Sequence, residues 1–322
     1  MNEHTFTYVL YEWLENNRIR LKMQTYAKYH QIIEQHIVPT LGALPIEDVT
    51  AATVNQFLYQ KSQQGKLANG GALSASSIRT IAFIIKSVLV YAEQKYDCKL
   101  LRGKICVPAK EKKQLQVLSG AEQQRLEQAC FAYGTDKDLG ILLSLYTGLR
   151  LGEVCGLAWQ DIDRTTCTMY IRHTVERVKL PQSQSDTAKT NLLLLDTKTI
   201  SSNRIIPFPE LLLQAMPHNT TGFVLPGKCH EYIDPRTLQY FFQKRLQQCG
   251  IRSINYHALR HTFATRCVES GMDMKSLSEI LGHADVAITM NIYVHSSIEH
   301  KRKQLEHMAA QHGSYLQYEK CE

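Results

Sequence analysis

The sequence predicts a mainly α-helical protein with a small antiparallel β-sheet, an α+β fold divided between two domains. The chain has 322 residues, which is long for a single hydrophobic core. Apolar residues recur at helical spacing along most of its length. Alternation typical of strands appears at residues 168–178 and in the Leu-rich stretch that leads to Pro207.

Residues 1–98 form the first predicted domain, a helical module. The four predicted helices cover residues 5–17, 23–38, 50–63 and 78–96. The second helix is expected to stop at Pro39, because proline has no amide hydrogen to continue a helix. A loop precedes the fourth helix, and Ser76 or Ser77 at its end could cap that helix.

Residues 99–116 lack a sustained period and are predicted to be a basic linker. The interpretation as a solvated linker competes with a second one, a strap whose cations lie across DNA phosphates and release counterions. The predicted DNA-binding residues in this stretch are Lys99, Arg102, Lys104, Lys110, Lys112 and Lys113.

Residues 117–322 form the second predicted domain. Its predicted helices cover residues 120–132, 137–147, 151–157, 257–270, 273–281, 285–294 and a tail at 298–311, with one more that opens at Asp234 and Pro235. Ser119 and Glu122 have the spacing of a capping box. The stretch "LLLLDTKTISSNRIIPFP" is predicted to form a strand, a turn at residues 201–203, and a second strand that completes a hairpin.

Composition excludes several classes of protein. The nine cysteines never form a C-x-x-C pair, which disfavours a disulfide framework or a thiolate zinc site. The longest apolar runs are too short to span a bilayer, and the N-terminus lacks a secretory signal, so we expect a cytoplasmic protein without membrane contact. The net charge of +7 suits a polyanionic partner without establishing one.

The stretch "NYHALRHTFATR" places His257, Arg260 and His261 within little more than one helical turn. A metal site, a solvated polar face and a pocket for an anion would each explain this crowding. A zincin-type site needs a glutamate after the first histidine, and here Ala258 follows it. A guanidinium about 4 Å from a cation would also repel it by roughly 4 kcal/mol at an effective dielectric constant near 20. We therefore predict no metal.

Further cationic residues stand at structural junctions, and their number favours an anion pocket over a solvated face. Arg150 follows Gly148, a glycine predicted to end a helix, and His283 follows another such glycine. Lys198 lies on one arm of the predicted hairpin.

These four stretches together resemble the tyrosine recombinase family, the integrases of phages and conjugative transposons. "TGLRLGEVCGLAWQDID" resembles the first arginine box of the family, and "KTISSNRIIP" resembles its hairpin lysine motif. "HALRHTFAT" resembles the H-x-x-R box, and "LGHADVAITMNIYVH" resembles the final box with its histidine and tyrosine. The resemblance covers most of residues 117–298. The likeness of the helical module to the core-binding domain of the family is vaguer.

The resemblance implies a role for each matching residue. Arg150 and Arg260 would hold the scissile phosphate, His283 would contact it, and His257 would accept a proton. Lys198 would protonate the departing 5′ oxygen, and Tyr293 would be the nucleophile. Glu153 would orient Arg150 without itself contacting the phosphate. Lys189 competes for the role of the lysine, but it lies in the polar connection 181–191. His261 is assigned to packing or a backbone hydrogen bond, and Tyr256 to packing.

The chemistry explains why these residue types belong together. Attack by a phenol on phosphorus places negative charge on the equatorial oxygens, and fixed cations must receive it. Guanidinium groups stay charged and can donate two parallel hydrogen bonds to one phosphate. A phenol with a pKa near 10 needs an imidazole to take its proton. The resemblance implies no cofactor.

The resemblance also implies an assembly. Two domains would clamp double-stranded DNA like a C, and four protomers would exchange strands at specific recombination sites through a Holliday junction. The free chain would be a monomer, and directionality or DNA-bending proteins could assist. Many relatives carry an additional N-terminal arm-binding domain, whereas this chain begins at the helical module, which leaves arm sites in doubt. The tail helix would dock on its own domain or on a neighbouring protomer.

Two other functions share some of these features. A type IB topoisomerase-like enzyme would use the same pocket to nick and reseal DNA as a monomer without site preference. A non-catalytic DNA-binding regulator could have the same fold, but it would not need Tyr293 together with Lys198.

Overall fold

The computed structural model describes most of the chain. The described residues are 4–66, 70–97, 99–100, 103–109, 115–178, 190–196, 203–218, 221–283, 285–293, 302, 305–306 and 308–310. For residues 288 and 291–293 the description is of the backbone alone. The described residues fall into two compact units. The first holds the residues up to 113 together with 178 and 190–191, and the second holds the others.

The first unit is helical. Its helices are α1 (Phe6–Asn16), α2 (Met23–Ile32), α3 (Val38–Leu41), α4 (Ala51–Gln63) and α5 (Ala75–Tyr96). Threonines cap α1 and α4, where Thr5 and Thr50 accept hydrogen bonds from first-turn amides. The predicted cap of α5 is wrong by two residues or more, since Ser74 accepts from the Ser77 amide and the helix begins earlier than expected.

The second predicted helix does not stop at Pro39. It passes from α2 into a π-helical turn, Ile33–Ile37, and then into α3, which contains Pro39 in its first turn. Proline is tolerated there because the first amides of a helix need no intrahelical partner. The wider π turn resets the hydrogen-bond register before the proline, so the chain continues as a helix.

Helix α5 is the centre of the core of the first unit. By length and composition alone it could cross a membrane. Eight of its residues are instead buried among the other helices of the unit, including Ile81, Ile85 and Val88. Such burial is typical of the core helix of a folded domain.

Residues 103–109 of the basic stretch are held by side chains of the first unit, to which they belong. Asn55 of α4 donates from Nδ2 to the carbonyl of Lys104 at 2.9 Å and accepts the amide two residues later at 2.7 Å. Arg79 of α5 donates from Nη1 to two successive carbonyls at the end of the segment, at 3.3 and 2.7 Å. The side chains of Lys99 and Lys104 are exposed. The predicted DNA-binding residues Arg102, Lys110, Lys112 and Lys113 lie outside the described residues.

The second unit carries most of the sequence motifs. Its helices are α6 (Gly120–Tyr133), α7 (Asp136–Thr147), α8 (Leu151–Cys155), α9 (Pro235–Gln248), α10 (His257–Glu269), α11 (Met274–Leu281) and α12 (Val286–Tyr293). The capping box predicted from Ser119 and Glu122 is present at the start of α6. Of the predicted tail helix, only residues 302, 305–306 and 308–310 are described.

The strands form two small sheets. They are β1 (Ile162–Asp163), β2 (Thr168–Ile171), β3 (His173–Val178), β4 (Asn191–Asp196) and β5 (Arg204–Pro207). All but the end of β3 and the start of β4 lie in the second unit. One sheet has the order β1-β2-β5 with antiparallel pairs, and the other joins β3 to β4. The first places Arg204 opposite Ile171.

The predicted hairpin is therefore wrong for the described residues. Its two arms, β4 and β5, pair with successive parts of residues 168–178 rather than with each other. Residues 168–178 form one strand interrupted at Arg172, and its backbone groups give each arm a row of partners. The predicted turn at 201–203 and Lys198 fall between the arms, where only residue 203 is described.

A buried ion pair fixes the N-terminal end of α7. Arg245 of α9 donates from Nε and Nη2 to the two carboxylate oxygens of Asp138 at 2.8 and 2.9 Å. Its guanidinium also lies 4.0 Å from the centre of the Tyr133 ring. The pair is at the opposite end of α7 from Gly148, so it supports the fold at a distance from the cationic motifs.

Tyr256 is part of the core. It is buried, and its hydroxyl donates to the carbonyl of Gly140 at 3.0 Å and bonds the hydroxyl of Ser144 at 2.8 Å. Burial raises the pKa of this phenol well above its usual value. Tyr256 therefore packs and anchors α10 on α7.

Candidate active site

Three arginines converge on the C-terminal end of α11. The carbonyls of residues 280, 281 and 282 each accept a hydrogen bond from a different guanidinium, those of Arg204, Arg260 and Arg150 respectively, at 2.6, 2.7 and 3.1 Å. The final carbonyls of a helix lack intrahelical partners and carry partial negative charge. They therefore attract and orient cations contributed by β5, α10 and the start of α8.

Arg260 is the most buried of the three, with a relative exposure of 2%. Its Nη1 donates to the carbonyl of Gly148 at 2.9 Å, and its Nη2 donates to Leu281 and to His283 Nε2 at 2.7 and 2.8 Å. A buried guanidinium is stable only when its donors are satisfied, and these contacts satisfy several of them.

The turn after α7 brings Arg150 to the same place. Gly148 ends α7 with φ of 66°, and a Cβ there would lie 2.5 Å from the ring of Phe263. Only glycine combines that backbone conformation with so close an approach of α10. Two residues later Arg150 is the N-cap of α8, and its side chain is about one-third exposed.

Glu153 is the carboxylate at the centre of this cationic cluster. It accepts from the Arg150 amide at 2.9 Å and from Arg150 Nη1 at 2.7 Å. It also accepts from Nη1 and Nη2 of Arg204 at 3.2 and 3.0 Å. Burial acts to raise the pKa of Glu153, but the guanidinium groups of Arg204 and Arg150 outweigh it and hold the pKa below its usual value.

His283 follows Gly282, which turns the chain at the end of α11 with φ of 63°. Because a guanidinium can only donate, Nε2 of His283 must accept from Arg260. The proton of the neutral ring is then on Nδ1, which lies 2.8 Å from the hydroxyl of Thr289. Arg260 thus sets the tautomer of His283, and Thr289, which is fully buried on α12, holds the orientation of the ring.

His257 begins α10 one turn before Arg260. Its ring lies edge-on to that of His261, with 4.6 Å between the ring centres. Withdrawal from water lowers the pKa of His257 to about 4, with smaller contributions from His261, Arg260 and Arg150. Burial and the guanidinium groups of Arg260, Arg150 and Arg204 lower the pKa of His283 to about 4 as well.

Both imidazoles are therefore expected to be neutral in the free protein at pH 7. Since the lowered pKa favours the neutral form, protonation should occur only as the pH falls towards 4, whereas an ordinary histidine titrates near 6.5. Titration of the imidazole resonances by NMR measures this directly, with His257→Gln and His283→Gln to assign each signal. A midpoint at or above 6.5 for either ring would contradict the prediction.

The structure brings together Arg150, Glu153, His257, Arg260 and His283, as the anion-pocket hypothesis requires. Tyr293 is the last residue of α12, and its side chain is not described. Lys198 lies outside the described residues. Among the residues that are described, no group of three or more His, Cys, Asp or Glu side chains could hold a metal ion.

Two residues of this site have no role in the resemblance. Arg204 and Thr289 occur only within the quoted stretches "KTISSNRIIP" and "LGHADVAITMNIYVH". The alternation of "RIIP" carried a signal, because it places an arginine on the buried side of a strand, where a paired charge is the usual explanation. Nothing in the sequence near Thr289 indicated its contact with His283.

The comparisons with known proteins agree with this geometry. Residues 111–300 match the phage integrase family, and residues 5–62 match the N-terminal SAM-like domain of phage integrases. The chain belongs to the phage integrase family. The predicted resemblance is thus confirmed, and so is the enzyme class, a tyrosine-type site-specific recombinase.

Its relatives include a tyrosine recombinase XerC-like protein of Caldanaerobacter subterraneus subsp. tengcongensis. That protein is 26% identical over 92% of this chain and 81% of its own length. Tyrosine recombinase XerC of Xanthomonas axonopodis pv. citri is 27% identical over 81% of this chain and 79% of its own length.

Solved structures of integrases show the same two-domain fold. The Tn1549 transposon integrase in complex with transposon right end DNA has a TM-score of 0.73 at 21% identity, over 95% of this chain and 100% of that one. A λ integrase tetramer bound to a Holliday junction has a TM-score of 0.60 at 18% identity, over 92% of this chain and 80% of that one. The predicted fold class, mainly α with small antiparallel sheets in two domains, is confirmed. The clamp around a duplex stays a prediction.

Proposed function

We propose that this integrase-family chain cleaves and rejoins DNA at specific recombination sites through a 3′-phosphotyrosyl bond to Tyr293. The observation that carries the proposal is the cluster at the end of α11. Three guanidinium groups donate there to successive carbonyls, His283 bonds one of them, and Glu153 pairs with the other two. Positive charge is in excess there, which suits the extra negative charge that a phosphodiester gains in the transition state.

The proposed cleavage step transfers a phosphoryl group from the 5′ oxygen of the DNA to Tyr293. The Tyr293 oxygen forms a bond to phosphorus while the bond from phosphorus to the 5′ oxygen breaks. The phenolic proton goes to His257, which is ready to accept it because its lowered pKa keeps the ring neutral. The 5′ oxygen takes a proton from Lys198, and Arg150 and Arg260 hold the equatorial oxygens. Attack by another 5′ hydroxyl reverses these steps and joins a new strand without ATP.

The backbone of α12 supports the assignment of Tyr293. Position 293 lies four residues after Thr289, so the two share a helical register on α12. Thr289 contacts His283, and His283 contacts Arg260. A nucleophile at this position would therefore belong to the helix that already holds the phosphate-contacting histidine in place.

The larger assembly is also a proposal. Four protomers would bind two duplex sites and exchange strands through a Holliday junction, as the form of the λ integrase tetramer suggests. The exposed Lys99 and Lys104 would contact DNA phosphates, together with the other cations of the basic stretch. The enzyme would act in the cytoplasm, with directionality or DNA-bending proteins as partners.

A DNA substrate nicked near the cleavage point tests the proposal, because loss of the short 5′ fragment traps the covalent intermediate. The expected result is a protein–DNA adduct at a 3′ phosphate that forms equally well in EDTA. Two duplexes with the specific site should then yield a Holliday junction. Relaxation of supercoiled DNA by the monomer, with no site preference and no junction, would instead indicate the topoisomerase-like activity and overturn the proposal.

A further inference from the structure

We propose that Arg204 is a positioning residue of the phosphate site. It fixes the two groups that accept hydrogen bonds from Nη1 and Nη2 of Arg150. The inference rests on the proposed function, in which Arg150 holds the scissile phosphate. Arg204 begins β5 and is buried, with a side-chain exposure of 7%. Its guanidinium links this strand to α8 through Glu153 and to α11 through the carbonyl of Ile280.

The first link, through Glu153, holds Nη1 of Arg150. Glu153 Oε1 accepts from Arg150 Nη1 and from Arg204 Nη1, while Oε2 accepts from the Arg150 amide and from Arg204 Nη2. Each carboxylate oxygen is therefore shared between the two arginines. Without Arg204, the buried carboxylate would lose two of these four hydrogen bonds and the cation that most lowers its pKa. Its orientation, and with it that of Arg150, would be less fixed.

The second link holds Nη2 of Arg150. That atom donates to the carbonyl of Gly282, and Arg204 Nε donates to the carbonyl of Ile280, two residues earlier in the same helix end. Arg204 thus fixes the segment that carries the second acceptor of Arg150. Both acceptors of one phosphate-binding guanidinium depend on a residue that need not touch DNA, because Arg204 faces the carboxylate and the helix end.

The test compares cleavage with binding in the full chain. Arg204→Lys keeps the charge but cannot reach both the Glu153 carboxylate and the carbonyl of Ile280, and Arg204→Gln keeps only an amide donor. With the nicked substrate at saturating concentration, both variants should form the covalent adduct about 10- to 100-fold more slowly, as expected for a misplaced binding group. Their affinity for the same DNA should change by less than about twofold, since contacts outside the site supply most of the binding affinity.

Arg245→Lys is the matched control, because it removes the fork of another buried arginine–carboxylate pair in the same unit. It should lower the melting temperature as much as Arg204→Lys does, yet leave the rate of adduct formation in the folded protein unchanged. An equal loss of rate in Arg245→Lys would show that Arg204 serves the fold alone and would overturn the proposal. Having two substitutions at position 204 keeps the comparison open if one of them fails to fold.

Two further measurements test whether Arg204 affects cleavage by positioning Arg150. Because Glu153→Gln and Arg204→Lys both loosen the same guanidinium of Arg150, the double variant should be slowed by less than the product of the two single effects, whereas fully multiplied effects would contradict the proposal. A substrate with sulfur in place of the bridging 5′ oxygen needs no acid to release its leaving group. It should restore cleavage to Lys198→Ala and leave Arg204→Lys slow. Restoration of Arg204→Lys would overturn the proposal, and failure to restore Lys198→Ala would count against the proposed function.

Discussion

Tyr293→Phe should form no covalent adduct with a nicked DNA substrate. The substitution removes one oxygen, the atom that would bond to phosphorus, while the ring and the backbone of α12 remain. Loss of a nucleophile typically costs about 10⁴-fold or more, which is below detection in a gel assay for adducts. DNA binding should persist, because the substitution leaves the three guanidinium groups at the end of α11 in place.

Tyr256→Phe is the control for this prediction, since Tyr256 is the tyrosine adjacent to His257 in the sequence. Its hydroxyl is buried and bonded to Gly140 and Ser144, so the substitution should cost about 1 kcal/mol of stability and leave the adduct. An adduct that survives in Tyr293→Phe and disappears in Tyr256→Phe would refute the assignment of the nucleophile.

Arg260→Lys should reduce the rate of adduct formation by about 10²- to 10³-fold, the usual effect of losing one preorganised donor to a developing negative charge. The ammonium group keeps the charge but cannot donate at once to Gly148, Leu281 and His283. The rate on a nicked substrate at saturating DNA, corrected for the folded fraction, measures the effect.

Arg266→Lys on the same helix is the matched control. Arg266 bonds Gln123, Leu118 and Glu269, away from the end of α11. The Arg266→Lys variant should therefore lose some stability but keep the cleavage rate of the wild type. A rate in Arg260→Lys that stays within about threefold of the wild type would show that Arg260 holds the fold rather than the phosphate, since one full donor is worth far more than that.

Much of the fold could be predicted from local patterns. Helix ends marked by Ser119, Gly148, Asp234 and Gly282 lie where the sequence placed them, because caps and left-handed glycines act within a few residues. The helix predicted to stop at Pro39 did not stop there, because a π turn upstream placed the proline in a first turn. The hairpin failed because strand pairing depends on which edge is free, and this is a non-local property.

For the candidate site, the sequence by itself determined the set of residue types: arginines and histidines at helix ends, in an order that resembles one family of recombinases. It also determined that His257 and Arg260 are one turn apart, since helical spacing is fixed by the backbone. The tertiary structure alone decided that Arg150, Arg204 and Arg260 meet at three successive carbonyls at the C-terminal end of α11, and that Thr289 holds the ring of His283. The physical reason is that unpaired carbonyls at a helix end select partners by position in space. Arg150, Arg204 and Arg260 are far apart in the sequence, so they meet at these carbonyls only after the second unit has folded.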